Sequence, residues 1–239
     1  MFIKKILLFV LILISIINFD LFSQELPKLI PYRKGSNWGF VNSKKEIIIP
    51  TIYKSANQFS EGLARIQVYP DAWKYGYIDE SGNEIVPAKY FSAYDFFDGV
   101  ASIGVDNGEK TVYGSIDKTG KEIIQCNYKY DFRFFEGIAK VNLNGKYGYI
   151  DKAGKEVIPF KYELAGNFID GLAWAQLNGK FGFIDKTGKE KIPFIYESVG
   201  HFSEGLSAVK QNGKWGYIDI DGKMVLPFNY ENTRSFING

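Results

Sequence analysis

The chain of 239 residues holds one cysteine, Cys126, one histidine, His201, and only two methionines. A single cysteine cannot form an intrachain disulfide. A zinc site built from Cys and His needs about three or four ligands, so that class is excluded. No cofactor is expected, because no Gly-rich phosphate loop is present and the Gly-containing runs read as turns. Charge of either sign is also scarce in excess: the formal net charge is +2. No global field favours nucleic acid or an anionic membrane, and the recurring lysines Lys118, Lys152 and Lys186 are accompanied by acids.

Long apolar runs are lacking after the first residues. Lys4 and Lys5 precede an apolar stretch from Ile6 to Ile17. It falls short of the roughly 20 residues a membrane-crossing helix needs. A basic start, a short apolar stretch and a break near Leu21-Phe22-Ser23 read as a signal peptide over residues 1–23. An uncleaved anchor is the alternative. The expectation is export to the periplasm or the exterior of a bacterium, with no stable membrane span after cleavage.

What the chain has in plenty is aromatic residues, 17% of the total. They recur in register. An aromatic-Gly pair stands at Trp38-Gly39, Tyr75-Gly76, Tyr113-Gly114, Tyr147-Gly148, Phe181-Gly182 and Trp215-Gly216, in steps of 37, 38, 34, 34 and 34 residues. A tyrosine follows in the same steps at Tyr53, Tyr90, Tyr128, Tyr162, Tyr196 and Tyr230. A phenylalanine follows again at Phe59, Phe96, Phe134, Phe168, Phe202 and Phe236, opening a Phe-x-acid-Gly run that closes each unit, with Asn238 in place of the acid in the last. Six units fill residues 24–239, with approximate bounds 29–62, 63–99, 100–137, 138–171, 172–205 and 206–239.

Within a unit the pattern predicts a three-stranded meander. Leu206-Ser207-Ala208-Val209-Lys210 alternates as a half-buried strand. Asn212-Gly213, like Asn144-Gly145 and Asn178-Gly179, is a two-residue hairpin signal. Trp215-Gly216-Tyr217-Ile218 is a second strand. Asp219 to Gly222 is a turn in which Asp caps and Gly takes the left-handed position. Met224-Val225-Leu226 is the third strand, which Pro227 is expected to end. One meander cannot bury its apolar face alone, so neighbours must stack. The expected core is Ile66, Ile103, Val141 and Val209, then Ile78, Ile116, Ile150, Ile184 and Ile218, then Ile49, Val86, Ile124, Ile158, Ile192 and Leu226.

The runs Asn212-Gly213-Lys214-Trp215-Gly216-Tyr217-Ile218-Asp219 and Asn144-Gly145-Lys146-Tyr147-Gly148-Tyr149-Ile150-Asp151 resemble the bacterial WG, or KWG, repeat. The resemblance covers nearly all the chain after the leader. It implies a β-rich repeat domain of bacterial proteins, many of them exported. It implies no single activity and no catalytic residue. Units two and three depart from the pattern: they carry longer loops at Tyr69 to Trp73 and Asp106 to Thr111, and unit three has Gln125 where the others have Pro. The expected architecture is all-β, with six three-stranded antiparallel meanders stacked as an open superhelix. A six-bladed, propeller-like ring is the alternative.

No catalytic or metal residue stands out. His201 has Gln58, Asp95, Arg133, Asn167 and Ser235 as counterparts, which reads as a solvated loop position. Cys126 reads as an unreactive thiol. The acids Asp79, Asp117, Asp151, Asp185 and Asp219, and Glu61, Asp98, Glu136, Asp170 and Glu204, each recur in five of the six units. Glycoside hydrolysis needs one special pair of carboxylates; repetition reads instead as turn capping. The candidate binding residues are Trp174, whose counterparts are Arg65, Ser102, Lys140 and Ala208, together with Tyr69 and Trp73 in the long loop of unit two. Aromatics in such places stack on sugars or anchor proteins. The sequence reading is a non-catalytic module that binds a protein or cell-surface glycan. A glycan hydrolase and a ligand-free spacer are the alternatives; the spacer requires both Trp174 and Trp73 to be buried.

Overall fold

A computed structural model describes residues 27–70 and 73–233. The expected signal peptide lies outside the described residues. Every described element is a strand, arranged in six antiparallel sheets. Sheet one is Ile30–Lys34, Asn37–Val41 and Ile47–Tyr53. Sheet two is Ser55–Ala56, Leu63–Gln67, Tyr75–Asp79 and Glu84–Tyr90. Sheets three to six repeat this plan, with middle strands Thr111–Asp117, Lys146–Asp151, Lys180–Asp185 and Lys214–Asp219.

The three-stranded expectation holds for sheet one and needs correcting for the rest. Sheets two to six each gain a fourth strand of two residues at one edge. Its residues come from the linker that leaves the preceding unit: Ser55 and Ala56 follow Tyr53 almost at once and pair with Gln67 and Ile66. Two residues are too few to show a period of two, which is why the pattern hides them. This edge strand ties each unit to the next through backbone hydrogen bonds.

Proline does not end the third strand. Pro159 lies inside Glu156–Tyr162, and Pro227 inside Met224–Tyr230. The partners Tyr147↔Tyr162 and Tyr149↔Ile158 explain this: the middle strand advances two residues while the third advances four. Such a bulge leaves positions that make no ladder bond, and Pro is tolerated there. The same irregularity recurs in all six sheets. It brings the third-strand carbonyl onto the glycine of the aromatic-Gly pair, and sets the preceding aromatic opposite the unit's tyrosine, as in Trp38↔Tyr53 and Phe181↔Tyr196.

The expected core positions are buried, except that Leu226 is half-buried. Cores form between sheets as well as within them. Tyr149, Ile158 and Tyr162 of sheet four share one cluster with Ala173, Ala175 and Ile184 of sheet five. The unit phenylalanine closes two of the cores edge-on: Phe168 stands 4.9 Å from Tyr149 and Phe96 4.9 Å from Tyr77. Both tyrosine hydroxyls donate 2.6 Å hydrogen bonds to linker carbonyls, of Gly166 and Tyr94.

Among the described residues no sheet shares a strand with the first and last sheets across the ends of the row. Tyr230 of sheet six is 42% exposed, whereas the tyrosines at its position in the other sheets are buried. Among the described residues no further sheet packs on the outer face of sheet six.

Candidate functional site

The recurrent acids are absorbed by the backbone. Asp151 Oδ1 accepts from the amides of Ala153 and Lys155 at 2.9 Å. Asp79, Asp117, Asp185 and Asp219 do the same in their own turns. The second ladder occupies hairpin tips. Glu61, Asp98, Glu136, Asp170 and Glu204 all have positive φ, each followed by a glycine. Three of these acids reach Lys partners in the neighbouring sheet: Glu61 with Lys118 at 3.1 Å, Glu136 with Lys186 at 2.8 Å, and Asp98 with Lys152. The bond to Lys186 holds the Glu136 carboxyl below its ordinary range. Among the described residues no three His, Cys, Asp or Glu side chains are grouped to hold a metal.

The candidate binding aromatics fall into two separate places. Trp174 is half-buried in sheet five. Its ring centroid lies 5.9 Å from Phe181, and its Nε1–H donates to His201 Nε2 at 3.4 Å. The face that carries Arg65, Ser102, Lys140, Trp174 and Ala208 is not the free polar face that alternation suggests. Ser102 and Ala208 are buried, and the linker that enters sheets two, three, five and six bonds along this strand, through Asn57 to Arg65, Tyr94 to Ser102, Gly166 to Trp174 and Gly200 to Ala208. Gly166, in that linker, lies so close to the indole that a Cβ there would stand 2.5 Å from Nε1. His201 is on the exposed side of this contact, and partial burial together with the charge of Lys140 lowers its pKa.

Tyr69 and Trp73 stand on the long hairpin that joins Leu63–Gln67 to Tyr75–Asp79 in sheet two. Trp73 is 73% exposed and Tyr69 49%. The Lys54 ammonium stands 5.9 Å over the Tyr69 ring, and that of Lys74 stands 5.0 Å over Phe91, itself an exposed ring. The result is an aromatic ridge with two cations, of the kind that anchors a partner by burial and cation–π contact. Phe91 was not among the expected residues. Its counterparts are Lys54, Lys129, Glu163, Glu197 and Glu231, so the comparison that singled out Trp174 would have found it.

Among the described residues no helix is long and apolar enough to cross a membrane. A family model described as a WG containing repeat matches residues 38–69, 75–108, 113–147, 147–181, 181–215 and 215–239. No curated protein is similar to the chain in sequence. Among solved structures, one titled as the eukaryotic initiation factor is similar in fold. It has a TM-score of 0.51 at 11% identity over 86% of this chain and 63% of that one. Kluyveromyces lactis Hsv2 has a TM-score of 0.41 at 9% identity, over 81% of this chain and 71% of that one. The chain thus spans less than two thirds of the first of these, and the likeness concerns the fold alone.

Proposed function

The chain belongs to the WG-containing repeat family, and from that premise we propose that it is a non-catalytic, exported scaffold that binds a protein or cell-surface glycan through the aromatic hairpin of its second sheet. The observation that carries this reading is the 73% exposure of Trp73. A tryptophan costs free energy when it faces water, and exposed aromatic rings gathered on one hairpin mark a contact surface. Tyr69, Phe91, Lys54 and Lys74 make the ridge amphipathic, which suits a partner bound at an interface rather than a buried small molecule. The spacer reading requires Trp73 to be covered, and its exposure counts against that reading.

The hydrolase reading requires two carboxylates that differ in environment from their counterparts. The turn aspartates instead share one arrangement in five units, each capping its own turn. That uniformity supports binding over catalysis. Export rests on the basic and apolar character of residues 1–23.

The test is capture from envelope extract and on immobilised cell-surface glycans by the wild type, Trp73→Ala and Trp174→Ala proteins. Loss with Trp73→Ala alone supports the ridge. Loss with Trp174→Ala alone moves the site to sheet five. Equal capture by all three, or none by any, overturns the proposal.

A further inference from the structure

Sheet four departs from its neighbours at one edge. In sheets two, three, five and six the linker strand pairs along the first long strand, through Ala56↔Ile66, Ala93↔Ile103, Ala165↔Ala175 and Val199↔Val209. The corresponding residues before sheet four, Tyr130 and Asp131, make no such pair. The linker bonds once, from the Lys129 amide to the Asn142 carbonyl at 3.2 Å, and rejoins the sheet only at Phe134–Phe135.

The cause lies in the preceding unit. Its middle strand carries Ser115 where the others carry Phe40, Tyr77, Tyr149, Phe183 and Tyr217. A serine there leaves an aromatic-sized hole. Phe132, whose counterparts are Asn57, Tyr94, Gly166 and Gly200, is 5% exposed and stacks edge-on with Tyr128 at 5.7 Å and Phe134 at 6.0 Å. It shares with Ser102, the cross-strand partner of Ser115, a remnant void of about 10 Å³. Phe132 has gone inward to fill the core, and Tyr130 and Asp131 are drawn off the edge they would otherwise cover.

Two clefts open where that edge strand is missing. One, of about 220 Å³, lies between Tyr130, Asp131, Lys140 and Tyr147. The other, of about 200 Å³, lies between Lys110, Asn127, Lys129 and Asn144. Asn142 borders both. Each is smaller than the ~300–1,000 Å³ typical of small-ligand sites, and the two meet at Asn142. Asn142 is 4% exposed, and its carboxamide oxygen has no hydrogen-bond partner among the described residues. An unpaired buried acceptor is uncommon enough to call for a partner. Among the described residues none of the three ammonium groups has a carboxylate within 4.0 Å. Burial lowers the pKa of Lys140, whose ammonium stands 5.7 Å over the Tyr147 ring. The longer loop of unit three contributes Lys110, so two departures of that unit converge here.

We propose that this junction between sheets three and four is a binding site for an acidic saccharide, with its carboxylate on the lysines, its hydroxyls on Asn127, Asn142 and Asn144, and a sugar ring against Tyr130. Tyr130 is 46% exposed, and the Lys129 ammonium stands 5.0 Å over its ring, which joins a cation to a flat apolar surface. Three amide side chains supply both donors and acceptors, which a polyhydroxylated ring requires. Three lysines against Asp131 leave an excess of positive charge, which selects an acidic sugar over a neutral one. The site is distinct from the aromatic ridge of sheet two and does not depend on it.

The test is titration of the whole protein with trigalacturonate, neutral galactotriose and inorganic phosphate, read by calorimetry and by amide NMR shifts. Trigalacturonate is expected to bind at least about tenfold tighter than either comparison ligand. Its shifts should centre on Lys110, Lys129, Tyr130, Asn142 and Asn144. The Lys110→Ala/Lys129→Ala variant alters exposed lysines only; it should weaken binding by about tenfold or more while keeping the wild-type melting curve. Trp73→Ala should bind the acid as the wild type does. No binding at about 1 mM, equal affinity for galactotriose, equal affinity for phosphate, or shifts centred elsewhere would each overturn the proposal.

Discussion

The carbonyl oxygen of Ile158 sits so near Gly148 that a Cβ on that glycine would stand 2.7 Å from it. The same approach recurs at every aromatic-Gly pair, from 2.3 Å at Gly114 to 2.8 Å at Gly216. Glycine is required here by space rather than by a turn conformation. The obstruction is backbone, which cannot swing away as a side chain can. Gly148→Ala is therefore expected to destabilise the domain by about 1–3 kcal/mol, the usual cost of overpacking. Urea unfolding of the variant measures it, and an unchanged midpoint would show that the third strand gives way freely.

Phe168 and Trp73 are both large aromatics, yet opposite outcomes are expected from their removal. Phe168 is 2% exposed and wedged against Tyr149. Phe168→Ala should cost about 3–5 kcal/mol. Trp73→Ala touches no core and should stay within about 0.5 kcal/mol of wild type. The contrast in melting temperature between the two variants separates the structural aromatics from the ridge.

Glu136 joins sheets four and five through Lys186 and the Gly171 amide. Its carboxyl titrates below the ordinary value in the folded state, chiefly through the Lys186 bond. The unfolded chain thus takes up its proton first as pH falls. The stabilisation is whole above about pH 4.3 and disappears as pH drops through the lower folded value. Because both groups are substantially exposed, the effect is below about 1 kcal/mol and fades in salt. Glu136→Gln should flatten the acid limb of a stability–pH profile measured at low salt and leave the limb above neutrality unchanged.

Cys126 is half-buried in the third strand of sheet three, and burial pushes its thiol up to about 12, with Glu122 adding to the shift. Very little thiolate exists near neutrality, and the thiolate is the nucleophile. Modification by a disulfide reagent at about pH 8 should be slow in the native protein and rapid in denaturant. Rapid labelling of the native protein would contradict this burial.

Much of the architecture was legible because it repeats. Positions such as Ile66, Ile103 and Val141 announce a core by being apolar in unit after unit, and the Asn144-Gly145 turn announces a hairpin because both residues take positive φ. The edge strands were not legible, since a pairing of two residues has no period. Nor was the course of the third strand past Pro227, because the bulge that tolerates proline is defined only by the register with its neighbour.

The candidate binding surfaces divide in the same way. The sequence by itself determined six tandem β units and the aromatic departures of unit two, because hydrophobic period and turn chemistry are local. Only the tertiary structure decided that Trp174 is half-covered by the linker that enters its sheet while Trp73 is open, and that Ser115 and Phe132 together peel an edge strand from sheet four. Those outcomes depend on what packs against each side chain from another sheet. A one-dimensional pattern specifies which residues seek burial, but the volume left by a distant neighbour decides which of them obtain it.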